Sequence, residues 1–112
     1  MKTFIRAGIL AASAALAGAA TLAQAQGVTG NAEAAKQKNS MCTGCHGIPG
    51  YKTAYPVVYH VPKIGGQQAA YIVNALKAYK SGERKHPSMV GIAASLTEQD
   101  MADFAAYYGG AK

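Results

Sequence analysis

The sequence predicts an all-α domain of three main helices joined by long loops, and three observations carry that expectation. Ile72, Ala75, Leu76 and Tyr79 fall at i, i+3, i+4 and i+7, an apolar stripe along one side of a helix. Met101, Phe104, Ala105 and Tyr108 repeat the spacing near the C-terminus. The stretch with strand composition, Tyr55 to Val61, has no second run of its kind to pair with, so it is read as an extended wrap rather than a sheet.

The N-terminus is set apart from the fold. Lys2 and Arg6 make a basic start, Ala7 to Ala20 is an apolar run dominated by alanine, and Ala23-Gln24-Ala25 gives a small-x-small cleavage pattern. Residues 1–25 are therefore expected to be a cleaved export signal and residues 26–112 the mature domain. No other apolar run approaches membrane-spanning length, so no span is expected after cleavage. The remaining 87 residues suffice for one domain with a thin core, of the size that usually needs a disulfide, a metal or a bound cofactor.

Within that domain, Asn31 is placed to cap a first helix running from Ala32 to Met41, made of good helix formers without glycine or proline. Gly47, Pro49 and Gly50 then end regular helix. Gly65-Gly66 precede a second helix, Gln67 to Lys80, which Gly82 stops as a left-handed C-terminal residue. Residues 82–96 read as a loop that contains Arg84, Lys85, His86, Pro87 and Met89. The last helix starts at Thr97, with Asp100 three residues on in a capping-box arrangement, and Gly109-Gly110 end it.

The first helix delivers the chain into Cys42-Thr43-Gly44-Cys45-His46, and this stretch carries the chemistry. Two cysteines separated by two residues and followed at once by histidine form the attachment motif for c-type haem. Each thiol can add across a haem vinyl group to form a thioether, which puts His46 beneath the iron. Two other readings of the cysteines stand beside it. A thioredoxin-like pair would want a βαβ pattern, whereas the flanks read helical; a zinc site would need a further ligand, from His60 or His86, at spacings unlike the usual fingers.

With haem in place, the occupant of the sixth iron position decides function. Met41 adjoins Cys42 on the attachment side, and Met101 lies on the stripe of the last helix, where a methionine is core packing. Met89 stands after Pro87 on chain that has passed through a full helix since His46, free to cross to the opposite haem face. His60 and His86 are rival ligands. A thioether sulfur favours Fe(II) relative to a second imidazole, so His46 with Met89 would raise the reduction potential and leave no open position for substrate. The chemistry expected is electron transfer without bond making, hence a carrier rather than an enzyme. The alternative is a haem enzyme or gas-binding sensor in which Met89 does not bind. A ligand histidine also needs its other ring nitrogen held, and the carbonyl of Pro62 is the candidate acceptor.

These residues resemble the class I c-type cytochromes, and within them the short bacterial type that looks like one half of periplasmic dihaem cytochromes c. The matching segments are Cys42 through Gly47, Pro62-Lys63-Ile64-Gly65-Gly66-Gln67, Tyr71 through Leu76, Gly82-Glu83-Arg84, Met89, and Leu96 through Tyr108. The resemblance implies the cytochrome c fold with first and last helices crossing, one covalent haem c, His46 and Met89 as axial ligands, Pro62 bonded to His46, and one-electron shuttling between periplasmic or membrane redox partners. In one respect the chain departs from many members: its first helix lacks their glycine-plus-aromatic crossing pair, so Ala34 or Ala35 would have to meet Tyr107 or Tyr108.

Charge bears on partners. The mature chain has nine Lys plus Arg against five Asp plus Glu, a net +4 with neutral histidines. Most of these cations read as a solvated surface. Arg84 and Lys85, close in sequence to Met89, are the ones expected to rim the haem edge and steer an acidic redox partner in a weak, salt-sensitive encounter. Nucleic acid is not an expected partner, since no basic-aromatic reading face is evident.

Overall fold

The computed structural model describes residues 27–55 and 57–110. The expected export signal, residues 1–25, lies outside the described residues. Helices α1 (Ala32–Lys38) and α2 (Ser40–His46) are followed by a ribbon of β1 (Lys52–Thr53) and β2 (Tyr59–His60), then by α3 (Ala69–Ser81), α4 (Pro87–Ser95) and α5 (Glu98–Gly110). The fold is mostly helical, as the stripes require. α5 packs on both α1 and α3, and α4 packs on α3.

The capping residues act as their chemistry dictates. Asn31 accepts from the backbone N–H groups of Glu33 and Ala34 at the start of α1. Thr97 and Asp100 form a reciprocal box at the start of α5: the Thr97 N–H donates to Asp100 Oδ2 at 2.9 Å and the Asp100 N–H to Thr97 Oγ1 at 3.1 Å. Gly82 ends α3 with φ of 83°, a conformation open to glycine at little cost.

Four expectations need correction. The first helix does not run unbroken from Ala32 to Met41: Asn39 interrupts it, and α2 carries the helix on through the cysteines to His46. The wrap is partly a sheet, with Lys52 opposite His60 and Thr53 opposite Tyr59, and the Val61 N–H extends the pairing to the Tyr51 carbonyl at 3.0 Å. Lys52 and Thr53 do not look like a strand because two residues are too few to show an alternating pattern; the Thr53 hydroxyl adds a bond across the ribbon, donating to the Tyr59 carbonyl at 3.4 Å. Residues 87–95 of the expected loop are helix, placing Met89 in the first turn of α4. Pro87 occupies the first helical position, where its fixed φ and missing N–H do no harm, and the small residues that read as loop allow Ala93 to be completely buried. Finally, Gly109 and Gly110 lie within α5 rather than ending it before them.

The core is one cluster built by α1, α3 and α5 with Leu96: Ala35, Ile72, Leu96, Met101, Phe104, Ala105 and Tyr108. Met101 is thereby core, as its stripe position implies. Ala35 shares this cluster with Tyr108, and Tyr107 packs against it, so the helix crossing is made by small and aromatic residues. A close backbone approach comes five residues before Ala35, at Gly30, where a Cβ would sit 2.0 Å from the Ala102 carbonyl oxygen. Gly30 therefore lets the segment before α1 lie directly on the backbone of α5, and the Asn31 N–H reinforces this by donating to the buried Asp103 at 2.8 Å.

Candidate functional site: a haem c attachment site

Asn39 fixes the attachment helix. Its backbone carbonyl accepts from the N–H groups of Cys42 and Thr43, both at 2.9 Å, while its own side chain accepts from the Tyr108 hydroxyl. The start of α2 is thus fastened to the last helix before the first cysteine is reached. Cys42 is half-buried against the core cluster, and burial pushes its thiol up from the ordinary cysteine value. Cys45 is half-buried too, and the two sulfurs form no disulfide.

His46 ends α2, and its Nδ1 lies 2.7 Å from the Pro62 carbonyl oxygen. That bond assigns the proton to Nδ1 and leaves Nε2 as the nitrogen with a free lone pair, the arrangement an iron ligand requires. The carbonyl belongs to chain leaving β2, only two residues beyond His60.

The same strap reaches the fourth helix. Tyr59, in β2, packs its ring edge-on against His86, with centroids 5.2 Å apart and planes at 64°. His86 is the N-cap of α4, and Met89, half-buried, follows in its first turn. Residues 59–62 therefore touch His46 at one end and the helix bearing Met89 at the other. His60, the second rival, is exposed. Among the described residues no three or more histidine, cysteine or acidic side chains gather in a metal-binding group, which leaves the zinc reading without its donors.

The apolar surface around this strap fits a large flat hydrophobic group. Met41, Ile48, Tyr51, Tyr55, Val57 and Val58 are exposed, Tyr55 to 86 %, whereas the buried apolar residues are Ala35 and others from Ile72 onward. Residues 40–68 thus present exposed apolar side chains beside two free thiols, Cys42 and Cys45, carried on one helix. Thiols, an oriented imidazole and apolar cover together fit a covalently held haem.

Arg84, expected at the rim, is anchored rather than loose. It donates to the Tyr71 hydroxyl at 3.1 Å and lies 5.1 Å from the centre of the Tyr79 ring. Lys85 beside it is exposed. Sequence reasoning missed Asn39 as the anchor of α2 and gave Gly30 no role; an asparagine inside a helix-forming run was the available signal for the first.

Comparison with known proteins shows the family. The Cytochrome c family profile matches residues 31–109. Cytochrome c-554(548) of Halomonas halodenitrificans is 39 % identical over 82 residues, covering 70 % of this chain and 94 % of that one. Cytochrome c4 of Pseudomonas aeruginosa is 35 % identical over 83 residues, 74 % of this chain but 39 % of the relative, and cytochrome c4 of Stutzerimonas stutzeri is 34 % identical over 92 residues, 74 % and 42 %. The chain thus spans nearly all of the first relative and about two fifths of each cytochrome c4.

The chain belongs to the cytochrome c family. It is a class I c-type cytochrome similar to one half of the longer c4 proteins, an electron-transfer protein with covalently bound haem c rather than an enzyme. A haem enzyme or gas sensor is not the favoured reading.

Proposed function

We propose that this chain is an exported, periplasmic one-electron carrier holding a single haem c through Cys42 and Cys45, with His46 and Met89 as the iron ligands. When bound, the haem supplies an iron that cycles between Fe(III) and Fe(II). The supporting observation is the strap of residues 59–62, whose Pro62 carbonyl orients His46 at 2.7 Å and whose Tyr59 ring rests on the N-cap of the helix bearing Met89. A group seated between α2 and α4 would meet an imidazole from one and a thioether from the other.

The chain's residues divide the work. Cys42 and Cys45 fix the cofactor; Pro62 holds the imidazole so that Nε2 keeps its lone pair; Met89 would bring a soft neutral sulfur that favours the reduced metal. With His46 and Met89 both bound to it, the iron would offer no open position to a substrate, and electron transfer would be the chemistry left to it. Export follows from the pattern of residues 1–25, and cleavage after Ala25 is part of the proposal. Among the described residues no helix is long and apolar enough to cross a membrane. The partners proposed are redox proteins met transiently, with Arg84 and Lys85 steering an acidic face.

A redox titration of the mature haem-loaded protein, followed by visible spectra, tests this reading. One reversible one-electron step, with low-spin spectra in both oxidation states, is the expected result. A high-spin ferrous spectrum, or more than one haem per chain by mass, would overturn it.

A further inference from the structure

Resting on the proposed Met89 ligation, we propose that Arg84 is a positioning residue for that ligand, a clamp that pins the start of α4 to α3 and so slows the departure of the Met89 sulfur from the iron. α4 needs such a hold. It has nine residues, three of them Ser or Gly, and a helix so short and so composed is marginal on its own. His86, its N-cap, makes no side-chain capping bond, so the turn that bears Met89 lacks the fastening that Asn31 gives α1 and Thr97 gives α5. The place of Met89 therefore depends on how α4 is held against α3, the helix it packs on.

Arg84 supplies the hold at the Met89 end. Its backbone N–H donates to the Ala78 carbonyl of α3 at 3.0 Å. Its guanidinium donates to the Tyr71 hydroxyl at 3.1 Å and lies 5.1 Å from the centre of the Tyr79 ring and 5.8 Å from that of Tyr71. These tyrosines stand about two turns apart on α3, so one flat group bridges both. A guanidinium can stack on a ring while its fork donates in the plane, which an ammonium cannot do. At the far end of α4, Lys80 of α3 donates its Nζ–H to the carbonyl of Leu96, the C-cap. Cationic side chains thus tie both ends of α4 to α3, and Met89 stands at the end that Arg84 ties. Releasing Arg84 frees the uncapped first turn to carry the sulfur away.

The test mixes ferric haem-loaded protein with saturating imidazole, when the rate of capture equals the rate at which Met89 leaves the iron. Arg84→Leu is expected to speed capture by at least about threefold, as loss of one hydrogen bond from the hold implies. Arg84→Lys, which keeps the charge but not the flat fork and guards against misfolding of the Leu variant, is expected to be faster than wild type as well. Gly30→Ala, which strains the distant helix crossing, is expected to capture at the wild-type rate. A smaller rise in Arg84→Leu, a wild-type rate in Arg84→Lys, or an equal acceleration in Gly30→Ala would each overturn the assignment, the second by making the effect one of charge and the third by making it one of global stability. The sulfur–iron charge-transfer band of the ferric form separates this from the parent reading: its absence in wild type overturns Met89 ligation, whereas its presence with unaccelerated capture overturns the role of Arg84 alone.

Discussion

Tyr108 donates its hydroxyl to the side-chain carbonyl of Asn39, joining the last helix to the residue at which α1 gives way to α2. Both residues are buried, and the Asn39 backbone carbonyl receives the Cys42 and Thr43 N–H groups. One hydrogen bond therefore links the crossing of the first and last helices to the start of the attachment motif. Tyr108→Phe keeps the ring packing but leaves Asn39 Oδ1 unpaired, and is expected to lower unfolding stability by about 1–3 kcal/mol, measured by denaturant titration.

Burial pushes the Tyr108 phenol up from 10.0 to about 12. A raised value means that the fold favours the neutral phenol. Its contribution is complete below pH 10 and is lost as pH rises through about 12. Wild type should lose stability over that window, and Tyr108→Phe should lose less of it; equal alkaline slopes for the two proteins would contradict the assignment.

Gly30 and Gly27 make a paired test of the helix crossing. A Cβ at Gly30 would lie 2.0 Å from the Ala102 carbonyl oxygen, a backbone atom that cannot turn aside, while at Gly27 nothing lies within 4 Å. Gly30→Ala is expected to destabilise by about 1–3 kcal/mol through forced backbone shifts. Gly27→Ala should stay within about 0.5 kcal/mol of wild type, as substitutions away from packed features do. Thermal unfolding of the two variants in parallel reads the difference.

How much of this was legible beforehand depended on whether the signal was local. The stripes of α3 and α5, the caps at Asn31 and Thr97 and the stop at Gly82 are written in nearest-neighbour spacing, and the structure has them. Asn39 breaks a run of helix formers because of Tyr108, a residue 69 positions away, which no local pattern contains. The helix at Pro87–Ser95 was hidden for a related reason: Pro, Ser and Gly read as loop residues until packing on α3 rewards a thin helix. At the site, the cysteines and His46 were legible as a motif. The packing of Tyr59 against His86 was not, because it joins rings from two separate elements that no local pattern relates.

Acid stability should depend on Asp100. Its carboxyl is held down from 3.8 to about 2, first by the Lys38 ammonium and then by the Thr97 N–H and hydroxyl. A depressed value stabilises the fold above the ordinary carboxylate range, and the contribution disappears as pH falls from about 4 through about 2. Asp100→Asn is expected to be less stable than wild type at neutral pH and to have a flatter acid limb, seen in unfolding midpoints across that range.

Met89→Ala removes the soft sulfur while leaving the first turn of α4, where alanine is a good helix former. The haem-loaded variant is expected to titrate at a lower potential than wild type and to lose the sulfur–iron charge-transfer band of the ferric form. An unchanged spectrum would remove Met89 from the ligand role.

The central claim is that protein side chains fill both axial positions of the iron, so that the chain passes electrons and binds nothing at the metal. Exposure of the reduced, haem-loaded wild-type protein to carbon monoxide tests this most directly. The account predicts no rapid change in the visible spectrum of wild type and ready binding by Met89→Ala; fast, stoichiometric binding by wild type would contradict it.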